Sequence, residues 1–182
     1  MLLEETERLN QIVTRFLEFT RDAGKQQDDE PRFCRVENVV NKIQQLFSHQ
    51  LAQQNIELRC SFNDPEISVK IQESHLRQIL MNLLLNSIEA IGKNGWLQIE
   101  AQEESDGIIK IIVSDSGYGI PPEIAGRVFD PFFTTKDTGA GLGLAIVERI
   151  IASHQGTIQL AEDPSTNARF EIRLPKADKI LK

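Results

Sequence analysis

The sequence predicts an α+β domain, a two-layer sandwich in which helices cover one face of a mixed β-sheet, preceded by a separate N-terminal helix. Three observations predict this class. Apolar residues recur with helical spacing in some segments and alternate in others. Predicted strands and helices interleave, and hairpin connections outnumber crossovers. With 182 residues, 40% of them hydrophobic and 26% charged, the chain can bury a sizeable core and is not expected to be disordered.

The N-terminal helix is predicted over residues 2–21, where apolar residues repeat every seven positions. This stripe consists of Leu2, Leu9 and Phe16, with Ile12 and Phe19 in the alternate core positions. Fewer than three heptads are present, so the helix either packs against its own domain or pairs with a partner helix. The segment 22–31 contains a glycine, a polar run and a closing proline, which indicates a domain boundary.

The main domain is expected over residues 32–176, after a leading segment at 1–22 and a linker at 23–31, and before a tail at 177–182. Its predicted strands cover 32–36, 56–62, 67–71, 96–103, 108–113, 157–161 and 168–174. Its predicted helices cover 37–54, 73–91 and 142–154, and Gly92 is expected to end the second of them. The segment 114–141 is predicted to be mainly loop.

The charge balance argues against a nucleic-acid partner, because 20 Lys and Arg residues against 27 Asp and Glu residues give a net charge of −7. Only Cys34 and Cys60 are available for disulfides, and no apolar run approaches the roughly 18 residues of a membrane span. We therefore expect a reducing, cytoplasmic setting, which is compatible with a membrane anchor elsewhere in a parent protein.

Two asparagines interrupt the apolar helix predicted at 73–91. Asn82 and Asn86 are four residues apart, so their amides project from the same face, one turn from each other. Amide groups in so apolar a helix need partners, and an amide oxygen is a hard ligand suited to Mg²⁺. The pair either binds such a ligand or is hydrogen-bonded within the protein.

A second polar segment, Asp115-Ser116-Gly117-Tyr118-Gly119, follows the strand predicted at 108–113. The two glycines permit a close backbone approach to a flat ligand or a positive φ, and the Asp115 carboxylate can accept a hydrogen bond from an exocyclic amine such as that of adenine. The same residues are also typical of an ordinary turn.

A glycine-rich run leads into the last predicted helix and contains Gly139, Gly141 and Gly143. Glycines before a helix N-terminus expose backbone N–H groups where the helix dipole is positive, which favours a phosphate. The spacing is neither that of a dinucleotide-binding fold nor that of a P-loop.

The segment 130–138, just before the glycine run, is predicted to be a mobile lid on which Lys136 offers a positive charge to a phosphate. Phe129, Phe132 and Phe133 either anchor this lid or simply pack beneath a loop.

Taken in order, these segments resemble the N, G1, F and G2 boxes of the catalytic and ATP-binding domain of bacterial sensor histidine kinases, within the superfamily that includes the gyrase, Hsp90 and MutL ATPases. The resemblance covers about residues 31–175 and implies a Bergerat-type ATP fold. The F box, Phe129-Asp130-Pro131-Phe132-Phe133-Thr134-Thr135-Lys136, is similar to the nitrogen-regulator-like branch of these kinases.

The resemblance implies ATP and Mg²⁺ as ligands and assigns a role to each motif. Asn86 would hold Mg²⁺, and Asn82 would support the metal's water or the phosphates. Asp115 would read the adenine amine. Lys136 would touch the terminal phosphates as the lid closes. The remaining implied contacts shape the base pocket or line the triphosphate: Gly117, Gly119, Gly139, Gly141, Leu142 and Gly143.

The same resemblance implies kinase rather than hydrolase chemistry. Hydrolytic relatives carry a glutamate as general base where this chain has Asn82, and an amide cannot take that proton at neutral pH. Glu89 stands where many kinases have a lysine, so its contribution is left open. His49, His75 and His154 are not followed by glutamate and are expected to be structural rather than phosphoacceptors.

The N-terminal helix resembles the end of the second helix of a dimerisation and phosphoacceptor hairpin, whose first helix is absent from this chain. The implied partners are that hairpin in a full-length kinase, a downstream response regulator, and a second copy of the chain through the N-terminal helix. Two other readings stay open: a protein serine kinase and anti-sigma factor of the same superfamily, and a nucleotide-sensing module that transfers nothing.

Overall fold

The computed structural model of the protein describes residues 32–136, 139–161 and 167–177. Its strands are β1 Cys34–Arg35, β2 Ile56–Phe62, β3 Ser68–Val69, β4 Gly95–Glu104, β5 Ile108–Asp115, β6 Thr157–Leu160 and β7 Ala168–Pro175. Its helices are α1 Val36–Gln53, α2 Glu73–Ile91, α3 Pro122–Ala125 and α4 Gly143–Ser153. The predicted helix at 2–21 and the linker at 23–31 lie outside the described residues.

The elements predicted for residues 32–176 are present with slightly shifted ends, and two differences affect the site. β5 continues to Asp115, two residues further than predicted, because its last residues stay in register with Leu97 on β4 and Ala168 on β7. The predicted loop also contains the short helix α3, whose first residue is a proline that fits the first turn of a helix.

The main sheet has five strands in the order β2-β4-β5-β7-β6. β2 pairs with β4 in parallel, and the other pairs are antiparallel, so the predicted mixed sheet is confirmed. β1 and β3 form a separate two-stranded ribbon.

The core lies between the sheet and α1, α2 and α4. Alternate residues of β4 point into it, and Leu97, Ile99 and Ala101 are at most 1% exposed. Each buried aliphatic side chain contributes about 1.5–3 kcal/mol, so this layer provides most of the stabilisation. α2 is held centrally by Leu76, Leu80 and Leu84, which are fully buried.

The polar residues of the motifs are carried by elements that this core holds in place. Gly92 ends α2 with a φ of 68° and donates its N–H to Ile88 O at 3.0 Å, as predicted for a C-terminal glycine.

Across the described residues, no helix is long and apolar enough to cross a membrane.

Candidate functional site

A cavity of about 630 Å³ lies beside α2, between the end of β5, the loop that follows α3 and the start of α4. Its lining includes eight of the site residues predicted from the sequence: Asn82, Asn86, Asp115, Gly119, Lys136, Gly139, Gly141 and Gly143. The fold therefore brings the four motifs to one cavity.

Asn82 and Asn86 both line this cavity, as their spacing predicts. The Nδ2 group of Asn82 donates to the carbonyl of Gln78 at 3.0 Å, within its own helix, so the alternative of internal hydrogen bonding holds for that atom. Its Oδ1 atom faces the start of α4, 3.2 Å from the position that a Cβ on Gly143 would take. Asn86 directs its Oδ1 atom toward the lid instead.

Lys136 connects the segment predicted to be a lid to α2. Its Nζ atom donates to Oδ1 of Asn86 at 3.0 Å and to Oε2 of Glu89 at 2.6 Å. A positively charged group therefore sits against the predicted metal ligand, which shows that the oxygen atoms here suit a cation.

Asp115 is 2% exposed and ends β5 at the cavity. Ser87 Oγ donates to Oδ2 at 2.7 Å, and the N–H of Gly117 donates to Oδ1 at 2.9 Å. Burial raises the pKa of the Asp115 carboxyl group above its usual range, and the two hydrogen bonds offset part of this shift. Each carboxylate oxygen can accept more than one hydrogen bond, so the group can still receive a donor from a ligand.

The glycines after Asp115 serve close packing. A Cβ on Gly117 would lie 2.7 Å from Cβ of Ala90, and Gly117 does not itself line the cavity. Gly119 has a φ of 77°, and a Cβ there would lie 2.8 Å from the carbonyl oxygen of Asn167. Asn167 Nδ2 also donates to the carbonyl of Gly117. These glycines shape the pocket by letting the loop lie against α2 and the start of β7.

The glycine run meets the lid at Gly141, which has a φ of 65°. A Cβ there would lie 2.5 Å from the carbonyl carbon of Phe132, and the N–H of Phe132 donates to Gly141 O at 2.8 Å. Leu142 is 1% exposed and packs in the core, so any contact that it makes with a ligand comes from its backbone.

α4 begins at Gly143 without a side-chain cap at Leu142. The first N–H groups of any helix have no acceptor within the helix, and here no side chain of Leu142 caps them. Gly143 and Leu144, which begin α4, line the cavity. An uncapped N-terminus of an eleven-residue helix favours an anion such as a phosphate.

The three phenylalanines lie in different environments, and only two of them are packed against the protein. Phe129 packs on the core and meets Phe170 edge to face, with ring centroids 6.2 Å apart. Phe133 lines the cavity under the guanidinium of Arg127, 4.5 Å from its ring centroid. Phe132 is 62% exposed, so the prediction that it anchors the lid is wrong: its φ of 67° turns the chain at that residue and leaves the ring in solvent.

Three contributors at this site are not assigned a role by the sequence patterns. Ser87 and Asn167 hold the Asp115 segment. Ser87 could have been noticed in the sequence, because it is a serine within the apolar stripe of α2. No local pattern distinguishes Asn167. Gln54, at the end of α1, lines the cavity with a buried Oε1 atom that has no hydrogen-bond partner among the described residues, so a donor from a ligand or water fits there.

The cavity has two chemically different ends. Asn82 adjoins the start of α4, whereas Ser87, about 7.5 Å further along the helix axis, holds Asp115. The N–H groups at the start of α4 and the Asn82 amide suit phosphates, and the buried Asp115 acceptor among apolar groups suits a base. Asn86, one residue before Ser87 and bonded to Lys136, offers an oxygen that suits a cation.

None of the three histidines lines the cavity. His154 follows α4, with its Nδ1 atom 2.9 Å from the carbonyl oxygen of Ile150, and its ring lies edge to face with His75, with 5.1 Å between centroids. His49 is exposed on α1. These positions agree with the predicted structural roles.

Comparison with known proteins identifies the family that the four motifs resemble. The profile of the histidine kinase-, DNA gyrase B- and HSP90-like ATPases matches residues 71–178. The sensor histidine kinase ZraS of Escherichia coli O157:H7 is 37% identical over 96% of this chain, which spans 37% of the length of ZraS.

Two solved histidine kinases have the same fold. Full-length ShkA in complex with AMPPNP aligns with a TM-score of 0.81 and 28% identity, over 96% of this chain and 37% of ShkA. ThkA in complex with the response regulator protein TrrA aligns with a TM-score of 0.78 and 27% identity, over 96% of this chain and 49% of the matched one. The protein therefore belongs to the histidine kinase-, DNA gyrase B- and HSP90-like ATPase family, as a bacterial histidine kinase ATP-binding domain.

Proposed function

We propose that this chain binds Mg-ATP and transfers the γ-phosphoryl group to a histidine on a dimerisation hairpin that it does not itself contain. The observation that carries the proposal is that one cavity is lined both by the buried Asp115 carboxylate and by the uncapped start of α4. Adenine and a triphosphate have the matching polarity, since the base offers an amine donor and the phosphates accept N–H groups.

Each predicted residue has a role in this proposal. Asp115 accepts a hydrogen bond from the adenine amine, and Gly117 and Gly119 shape the base pocket around it. The triphosphate lies along backbone N–H groups at the start of α4 and in the run before it, which comprises Gly139, Gly141, Leu142 and Gly143. Lys136 meets the terminal phosphates.

The metal end of the site is provided by α2. Asn86 fits Mg²⁺ because its amide oxygen already accepts from a cationic group in this structure, and Asn82 lies one turn away, beside the start of α4. Bound Mg²⁺ supplies charge neutralisation for the phosphates. Since Asn82 cannot act as a general base, water is not activated and ATP stays intact until the histidine arrives.

The proposed chain organisation follows the histidine kinases. Residues 1–22 end the second helix of the hairpin, 23–31 form a linker, 32–176 form the catalytic domain and 177–182 form a tail. The hairpin of a full-length kinase is then the first partner, a second chain pairs through the N-terminal helix, and a response regulator receives the phosphoryl group, as the ThkA complex with TrrA suggests by analogy. A cytoplasmic setting fits these partners.

Transfer in trans tests the proposal. The chain is mixed with a full-length parent kinase whose own ATP site is inactivated, and [γ-³²P]ATP with Mg²⁺ is added. We expect labelling of the parent that is lost in acid, as phosphohistidine is, and no labelling when the chain carries Asn86→Ala. Acid-stable label would indicate a serine kinase instead, and Mg-ATP binding without any label would indicate a nucleotide-sensing module.

A further inference from the structure

The Nζ atom of Lys136 lies between two oxygen atoms of α2. It is 3.0 Å from Oδ1 of Asn86 and 2.6 Å from Oε2 of Glu89. Asn86 and Glu89 are three residues apart, so their side chains share one face of the helix. One positive charge is thus held by an amide oxygen and a carboxylate from a single turn.

This pair of oxygens has the chemistry of a divalent cation site. Mg²⁺ takes oxygen ligands and is commonly held in nucleotide sites by one or two protein groups plus phosphates. Asn86 has a neutral oxygen, so Glu89 brings the only formal negative charge among the α2 residues that contact Lys136. The ammonium group of Lys136 occupies the space that such a cation would take.

We propose that Glu89 is a second cation ligand beside Asn86, and that Lys136 fills this site until Mg²⁺ and nucleotide arrive. The proposal rests on the proposed function, because it assigns Glu89 and Lys136 within the same site. Asn86 Oδ1 does not serve both cations, since an ammonium group and a divalent ion a few ångströms apart repel each other strongly.

Displacement has a consequence for the lid. Lys136 is tied to the glycine run and to its own loop, since its carbonyl accepts from the N–H of Gly139 at 3.4 Å and its N–H donates to Thr134 Oγ1 at 3.1 Å. When Lys136 leaves Asn86 and Glu89, its charge becomes available to the terminal phosphates. Entry of the metal and engagement of the lid lysine are therefore one exchange, in which Glu89 passes from one cation to another.

A plain surface ion pair is the alternative. The side chains of Lys136 and Glu89 are 26% and 56% exposed, and exposed pairs are worth only about 0–1 kcal/mol. In that case removal of the Glu89 charge leaves metal binding unchanged. Metal binding by a Glu89 variant therefore distinguishes a cation ligand from a surface ion pair.

The test compares Glu89→Gln with Glu148→Gln. Glu148 is exposed on α4 and does not line the cavity, which makes it a matched loss of one negative charge. ATP affinity is measured by calorimetry on the 182-residue chain, once with Mg²⁺ and once with EDTA. We expect Glu89→Gln to bind metal-free ATP several-fold more tightly and Mg-ATP more weakly. The gain from Mg²⁺, which is the ratio of the ATP affinity with Mg²⁺ to that with EDTA, is then expected to fall at least tenfold. Glu148→Gln keeps the wild-type gain.

A second measurement reports the metal directly. Binding of Mn²⁺ to the nucleotide-free chain is followed by electron paramagnetic resonance, with Lys136→Met as the variant. Removing the ammonium group is expected to raise Mn²⁺ affinity at least fivefold, and Lys136→Met combined with Glu89→Gln is expected to lose this gain.

The outcomes separate the two levels of the proposal. If wild type binds Mg-ATP and Glu89→Gln keeps the full gain from Mg²⁺, the role of Glu89 is overturned while the proposed function stands. If Lys136→Met binds Mn²⁺ no better than wild type, the exchange is overturned. If wild type binds neither ATP nor Mg-ATP, the proposed function fails and this inference fails with it.

Discussion

Ser87 Oγ donates a 2.7 Å hydrogen bond to Oδ2 of Asp115, which joins the middle of α2 to the end of β5 inside the protein. Both residues are 2% exposed. The carboxylate is therefore oriented before any ligand binds, with its second oxygen held by the N–H of Gly117 at 2.9 Å. A preoriented acceptor loses little freedom on binding, which favours selective recognition of a base.

The first prediction concerns base selectivity. Asp115→Asn keeps the shape of the side chain but replaces one acceptor oxygen by a donor, which opposes the adenine amine. We expect the affinity for Mg-ATP to fall at least tenfold, while the weaker affinity for Mg-GTP changes little. Calorimetric titration of both nucleotides checks this, and an equal loss for both would refute the assignment of the base pocket.

The second prediction concerns stability and pH. Since the folded-state pKa of Asp115 lies above its unfolded value of about 4, the stabilisation that this group contributes is complete below that value and is lost as pH rises through the folded-state pKa. The free energy of unfolding of wild type minus that of Asp115→Asn should therefore decrease as pH rises from about 4 toward neutrality. Urea unfolding over this range measures it, and an increase with pH would mean that the folded-state pKa is lowered.

The third prediction concerns the support of Asp115. Ser87→Ala leaves the buried carboxylate with one donor fewer, and a hydrogen bond to a charged group is worth about 1.5–3 kcal/mol. We expect a loss in Mg-ATP affinity of roughly tenfold and a shift of the pH dependence of binding to higher pH. Ser48→Ala, on the exposed face of α1, is the control and should behave as wild type. A loss of affinity without a change in the pH profile would count against the hydrogen bond as the cause.

The fourth prediction concerns the joint between the lid and the glycine run. Gly141→Ala forces a side chain into a φ of 65° and against the Phe132 carbonyl, which should cost about 1–3 kcal/mol. Gly126→Ala is the matched control, because nothing lies within 4 Å of its Cβ position and its φ is −72°. Urea unfolding should separate the variants, and Mg-ATP binding should be weakened only by Gly141→Ala. Equal stability of the two variants would contradict the observed packing.

Local patterns were enough to predict most of the architecture. The strands and helices follow from apolar periodicity, and Gly92 ends α2 where its position in the sequence predicts. The four motifs were also predictable, because each consists of neighbouring residues with a distinctive spacing. The role of Phe132 was not, since its exposure depends on how the chain turns at that residue.

By itself, the sequence of this protein determined the elements, their order and the residue types brought to the cavity, because these depend on neighbours a few positions apart. Only the tertiary structure decided which of those residues touch. Ser87 meets Asp115, 28 residues on, and Lys136 meets Asn86 and Glu89, 50 and 47 residues earlier. Such pairs are set by the register of β5 between β4 and β7 and by the packing of α2 on the sheet, which no local pattern encodes.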